Sequence, residues 1–158
     1  MTTEKKYYLT EKGLVKLRAE YQHLKKLKAS KIKGEIPKVW DSEDLNPEYL
    51  SFQEDLSFLE TRLAELKTIL KNTELIKKPS KGKQDSVNLG ATVLVEVDGQ
   101  KDEFTIVGSL EANPSAGRIS NESPVGKVLL SHYVGDEVVV SSPIKVIYRI
   151  KKIRYFNS

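Results

Sequence analysis

Starting at Leu14, the apolar positions Leu14, Leu17, Tyr21 and Leu24 recur at steps of three, four and three, then continue less regularly through Leu27, Ile32 and Ile36. A second run is regular throughout: Tyr49, Phe52, Leu56, Leu59, Leu63, Leu66 and Leu70 step by three and four without a break. Such spacing lays one apolar stripe along one side of an α-helix, in the a/d pattern by which two helices seal against each other. Thr10 stands where a side chain caps the first helix, and Glu11 follows in the first turn, where the helix dipole favours an acid. Asn46 and Pro47 mark the start of the second helix in the same way. Pro37 stops the first one, because its ring clashes with the preceding turn and it has no N–H to donate. Two stripes joined by a short polar segment predict an antiparallel helical hairpin, each arm on the order of 40 Å long at about 1.5 Å per residue. One stripe per arm makes a seam and not a compact core. The hairpin is therefore expected to project, with residues 38–45 at its far end.

After Lys77–Lys83, a stretch of linker composition, the period changes to two. Ala91–Val97 and Asp102–Ile106 alternate as strands around Asp98-Gly99, a strong hairpin-turn dipeptide. Glu137–Val140 and Ile144–Ile153 supply two more strands after the Gly135-Asp136 turn, and Val125–Leu130 reads as a short helix or turn. The expected class is α+β. Residues 1–76 form a coiled-coil hairpin with its tip at about 38–46, residues 77–84 a linker, and residues 85–158 a small, mostly antiparallel sheet.

Composition narrows the function classes. Of 158 residues, 39% are hydrophobic and 30% charged, the balance of a globular chain. No window approaches 18 consecutive apolar residues and the first ten lack an apolar signal region, so no membrane association is expected. The absence of Cys removes disulfides, thiolate metal sites and thiol catalysis, and fits a reducing cytoplasm. Two His, His23 and His132, are too few for most metalloenzyme sites.

The net charge of +4 conceals a sign change: residues 21–40 hold six Lys and one acid, residues 41–60 seven acids and no base. The acids Asp41, Glu43, Asp44 and nearby Glu48 admit two readings. Carboxylates on an exposed tip suit Mg²⁺, a hard cation that takes oxygen ligands; acids at a helix start also simply complement its dipole. Lys25, Lys26, Lys28, Lys31, Lys33 and Lys38 are either phosphate contacts or a solvated helix face. Trp40 is a large aromatic in the same loop. Ser131, His132 and Asp136 lack a nucleophile elbow, and Gly108-Ser109-Leu110-Glu111 matches no phosphate loop. No intrinsic catalytic machinery is expected.

Tyr8-Leu9-Thr10-Glu11-Lys12-Gly13, Asn46-Pro47-Glu48-Tyr49 and Phe58-Leu59-Glu60-Thr61-Arg62-Leu63 resemble the bacterial Gre transcript-cleavage factors, in order along the chain. So do Leu89-Gly90-Ala91-Thr92-Val93, Ile106-Val107-Gly108, Ile119-Ser120, Ser123-Pro124-Val125-Gly126-Lys127 and Val134-Gly135-Asp136-Glu137-Val138. The resemblance implies an FKBP-like sheet domain that docks RNA polymerase at its secondary channel, with Ser123, Pro124, Gly126 and Lys127 in the docking segment. It implies a hairpin whose tip carboxylates share a transient Mg²⁺ with the polymerase, near the 3′ end of the nascent RNA. The factor would stimulate cleavage by the polymerase and be no enzyme itself, with no stably bound cofactor; a monomer is expected. The family tip usually reads Gly-Asp-Leu-Ser-Glu-Asn-Ala-Glu-Tyr, whereas this chain has Glu43-Asp44-Leu45-Asn46-Pro47-Glu48-Tyr49. Deleting the Ser-Glu pair matches Asp44 to the family Asp; keeping the spacing of the acids instead uses Asp41 and Asp44. The candidate tip ligands are thus Asp44, Asp41 and Glu43. The altered spacing also leaves a second reading open, a channel-binding regulator that does not stimulate cleavage.

Overall fold

The computed structural model describes residues 5–34, 47–141 and 144–156. Its elements are β1 (Tyr7–Leu9), α1 (Glu11–Lys33), α2 (Pro47–Lys71), β2 (Thr73–Leu75), β3 (Ala91–Val97), β4 (Gln100–Val107), β5 (Arg118–Ser120), α3 (Pro124–Leu129), β6 (Glu137–Val140) and β7 (Val146–Tyr155). They fall into two compact units: residues 14–72 in one, residues 1–13 together with 73–158 in the other.

The first unit is the hairpin. All seven stripe positions of α2 are buried or half-buried, and cross-helix ion pairs run Glu20–Arg62, Lys28–Glu60 and Lys31–Asp55, which fixes the two helices as antiparallel. In α1 the seam departs from the expected stripe. Leu27 and Ile32 stand 44% and 48% exposed, while Lys28 and Lys31 are half-buried. The unbroken heptad continues Leu14, Leu17, Tyr21, Leu24, Lys28, Lys31: lysine stems line the seam and their ammonium heads reach the acids on α2.

The second unit is built on a five-stranded sheet of order β5-β4-β3-β7-β6. Its pairs are antiparallel except β4 with β5, which run parallel, so the sheet is mixed rather than wholly antiparallel. Asp98 and Gly99, both at positive φ (50° and 76°), make the β3–β4 turn that the dipeptide predicts. On one face Val93, Val95, Ile106, Ile119, Val138 and Ile150 pack with Val87 and Leu129 into the core. Ion pairs Lys151–Glu96 and Arg149–Glu137 link neighbouring strands, and Arg154–Glu103 reaches from β7 across β3 to β4.

Two features lie outside the expected helix–strand pattern. The helix ends at Lys71 instead of running on to residue 76, and Thr73–Leu75 pairs in parallel with Tyr7–Leu9. The chain's first strand therefore belongs to the same unit as the sheet. The ribbon comes against the loop after β4 through a glycine: a Cβ at Gly108 would overlap the Tyr8 carbonyl oxygen.

Candidate functional site

The tip acids Asp41, Glu43 and Asp44, together with Lys38, Trp40 and the capping Asn46, lie outside the described residues. Pro47 does open α2, with Glu48 in its first turn. Among the described residues, no three His, Asp or Glu converge to hold a metal ion.

Of the six candidate lysines, the structure separates two from three. Lys28 and Lys31 are committed to the seam, at 3.4 Å from Glu60 and 3.2 Å from Asp55. Lys31 Nζ also lies 5.1 Å from the centre of the Phe52 ring, a cation–π contact. Lys25, Lys26 and Lys33 are exposed. Further along, Arg62 bonds Glu20 through Nε (2.8 Å) and Nη2 (3.1 Å) and Glu65 through Nη1 (2.9 Å), so its proton is held more firmly than usual, chiefly by Glu20. This fork-on-fork pair gives the helix pairing a geometric register that a point charge would not.

The segment Ser123–Lys127 opens α3, and its four candidate residues divide by role. Ser123 is the N-cap: its hydroxyl accepts from Gly126 N–H at 3.1 Å and donates to the Ser120 carbonyl at 2.7 Å. Gly126 is buried with no room for a side chain, because a Cβ there would overlap the Ser120 carbonyl oxygen. Pro124 and Lys127 are exposed. The first pair shapes the segment; the second pair is available to a partner.

A strip of exposed apolar side chains runs along the same unit. Val139 on the edge strand β6 faces Ile147 on β7, at 43% and 49% exposed, with Tyr133, Val134 and Ile144 exposed nearby in sequence. Beside it, Ser131, His132 and Asp136 form a turn: Asp136 accepts from the Tyr133 N–H at 2.8 Å and sits 3.2 Å from His132 Nδ1. The Tyr133 N–H first, and His132 second, hold the Asp136 carboxyl below its ordinary pKa.

A cleft of about 340 Å³ on the sheet unit is lined by Thr92, Thr105, Glu103, Arg118, Lys12 and Tyr155 among others. Several of its polar groups are tied to protein partners: Thr92 to Thr105 at 3.0 Å, Glu103 to Arg154, and the Tyr155 hydroxyl to the Ser86 carbonyl. Burial pushes the Tyr155 hydroxyl above its usual pKa, so it remains a donor.

One residue escaped the sequence reading. Glu111, in the turn after β4, receives the Thr10 N–H on one carboxylate oxygen (2.8 Å) and the Thr10 hydroxyl on the other (2.6 Å). Thr10 in turn caps α1, its hydroxyl oxygen accepting from Gly13 N–H at 3.1 Å.

Comparison with known proteins covers nearly the whole chain. Residues 7–75 match a family model described as transcription elongation factor, N-terminal, and residues 81–155 one described as transcription elongation factor, GreA/GreB, C-terminal. Among curated relatives, transcription elongation factor GreA of Thermomicrobium roseum is 42% identical over 137 residues, 85% of this chain and 88% of that one. GreA of Clostridium acetobutylicum is 43% identical over 148 residues, 90% and 92% of the two chains. A solved GreA/GreB structure from Nitrosomonas europaea covers 95% of this chain at 21% identity, with a TM-score of 0.44.

Proposed function

The chain belongs to the GreA/GreB transcription elongation factor family, and from that premise we propose that it binds RNA polymerase through the secondary channel and stimulates cleavage of the 3′ end of backtracked RNA. The observation that carries the reading is the match of both family domains, in order, over residues 7–75 and 81–155.

In this reading the chain supplies groups and the polymerase is the enzyme. Asp44, with Asp41 or Glu43, offers carboxylate oxygens of the kind Mg²⁺ takes, and an ion shared there with the polymerase would activate water for phosphodiester cleavage. Lys25, Lys26 and Lys33, exposed on α1, lie in the chain segment that leads to those acids and counter RNA phosphates. Lys28 and Lys31 serve a different purpose, closing the hairpin against Glu60 and Asp55. The sheet unit docks the polymerase through exposed Pro124 and Lys127, with Ser123 and Gly126 shaping the turn beneath them.

The test is a backtracked elongation complex made with the cognate polymerase and supplied with Mg²⁺ and saturating protein. Faster release of short 3′ fragments is expected; no increase overturns the reading. Asp44→Ala should abolish the stimulation and leave polymerase binding intact. A second reading follows from the tip spacing Glu43-Asp44-Leu45-Asn46-Pro47-Glu48, which departs from the family pattern: occlusion of the channel without cleavage. Inhibited nucleotide addition with no cleavage products would favour it.

A further inference from the structure

The cleft on the sheet unit holds groups that the proposed function does not use. All of its lining residues belong to the unit of residues 1–13 and 73–158. Within it, Thr92 and Thr105 are cross-strand partners, on the face of the sheet opposite the core residues Val93 and Ile106. Their hydroxyl oxygens lie 3.0 Å apart. Two hydroxyls carry two hydrogens, and the bond between them uses one. The other finds no acceptor among the described residues, although Thr92 is only 2% exposed.

The charges around this pair are unequally committed. Glu103 faces Arg154 at 2.8 Å, and Glu111 spends both carboxylate oxygens on Thr10. Lys12 and Arg118, which also line the cleft, make no ion pair among the described residues. The acids are held by partners and two cations are left over, so the local field favours an anion. The rest of the lining is apolar. Leu89 and Val107 contribute to it, and Phe156 stands 64% exposed at its edge. The Arg154 guanidinium lies 5.4 Å from the centre of the Phe156 ring, a cation–π contact. The Tyr155 hydroxyl is engaged by the Ser86 carbonyl and the Asn88 N–H, which leaves its ring to a ligand. At about 340 Å³ the cleft has the size and the mixed lining of a small-molecule site.

We propose that this cleft binds a nucleoside monophosphate, with its phosphate on Lys12 and Arg118 and its base against Phe156 and the apolar wall. The remaining threonine hydrogen donates to one of the ligand's oxygens. A phosphate monoester carries about two negative charges at neutral pH, which the two unpaired cations match. An inorganic anion would leave the apolar wall unused, and an uncharged ring would leave the cations unused. An aromatic face stacks any base, so no preference among bases is expected. The site lies within the sheet unit and its occupancy does not depend on transcript cleavage.

The test titrates the full-length protein with adenosine monophosphate and, in parallel, with adenosine and with inorganic phosphate, following backbone amide shifts by NMR. The nucleotide should saturate with a Kd below about 1 mM, and the shifts should centre on Thr92, Thr105 and Arg118. Adenosine and inorganic phosphate should each bind at least about tenfold more weakly. No saturation by about 10 mM nucleotide, or shifts centred away from the cleft, overturns the proposal. Inorganic phosphate bound as tightly as the nucleotide overturns the ligand class, because the apolar wall would then contribute nothing.

Variants assign the contacts. Lys12 and Arg118 are exposed, so changing both to Gln should leave the melting temperature nearly unmoved. That variant should bind the nucleotide at least about tenfold more weakly and lose most of the salt dependence of binding. Phe156→Ala should weaken the nucleotide at least about fivefold and leave inorganic phosphate unaffected. Replacing Thr92 and Thr105 together by Val keeps the shape of the pair and removes its hydroxyls, at a cost of at least about fivefold in affinity. Wild-type affinity in the Lys12/Arg118 variant overturns the phosphate contact and the proposal with it. Wild-type affinity in Phe156→Ala or in the valine pair overturns the base contact or the hydroxyl contact respectively. Binding is read on the protein alone. Its failure therefore leaves the cleavage reading standing, and a protein that stimulates no cleavage is still expected to bind the nucleotide.

Discussion

Asp136 illustrates how a turn can rest on one carboxylate. It accepts the Tyr133 N–H and lies beside His132, and both hold its pKa below the ordinary value, the backbone donor most. A group whose pKa is depressed by folding adds stability that is fully present above its unfolded pKa, about 3.9 for Asp. That stability is lost as the pH falls from there through the lower folded value. Asp136→Asn should lower the melting temperature at neutral pH and flatten its decline on acidification below about pH 4; thermal unfolding across pH reads both. Gly126 and Lys127, adjacent in sequence, should answer different assays. Gly126→Ala forces a Cβ onto the Ser120 carbonyl and should cost about 1–3 kcal/mol in chemical denaturation, as other overpacked sites do. Lys127→Ala removes an exposed side chain and should leave stability within about 0.5 kcal/mol and weaken polymerase binding. The family-like segment Ser123–Lys127 was visible in the sequence; its division into shaping and exposed residues needed the Ser120 carbonyl, three to six positions upstream.

Within the hairpin, the two ends of the seam hold together by different means. Leu66 and Ile69 are buried near the end of α2, whereas the opposite end relies on Lys28–Glu60 and Lys31–Asp55. Leu66→Ala should cost about 2–5 kcal/mol, the price of an emptied core site. Glu60→Gln or Asp55→Asn should cost no more than about 1 kcal/mol, since the pairs are half-exposed and screened. Replacing Lys28 and Lys31 together by Leu should stabilise the helices near Lys33 and make their amide exchange insensitive to salt. Unchanged salt sensitivity would show that the ion pairs do not hold that end. The stripe of α2 was fully legible because every a/d position is apolar. That of α1 was legible only to Leu24: beyond it the heptad passes through lysines, and the apolar Leu27 and Ile32 next to them mimic a stripe that the structure leaves exposed. β1 and β2 were illegible for another reason, since three-residue strands carry too little periodicity to read and owe their pairing to contacts between residues 7–9 and 73–75.

Across the whole chain, the charge reversal between residues 21–40 and 41–60 gives consecutive segments opposite tasks under the proposed function, and the two tasks should then fail in different ways. The acids were legible as a cluster, and so were the lysines; which lysines remain available was not, because that depends on partners across the seam. Lys25, Lys26 and Lys33 are exposed, so changing all three to Gln should leave the melting temperature nearly unmoved. If they counter RNA phosphates, the triple variant should need more protein for half-maximal cleavage. The salt dependence of that concentration should also weaken, by about 2 in logarithmic slope for three single-strand phosphate contacts. Its maximal rate should remain that of the wild type. Asp44→Ala should do the reverse, removing the maximal rate and sparing both half-saturation and salt dependence, because a ligand in the reacting centre acts after binding. A triple variant with wild-type half-saturation and salt slope would return those lysines to the status of a solvated face, and leave the acidic tip as the hairpin's sole contribution to cleavage.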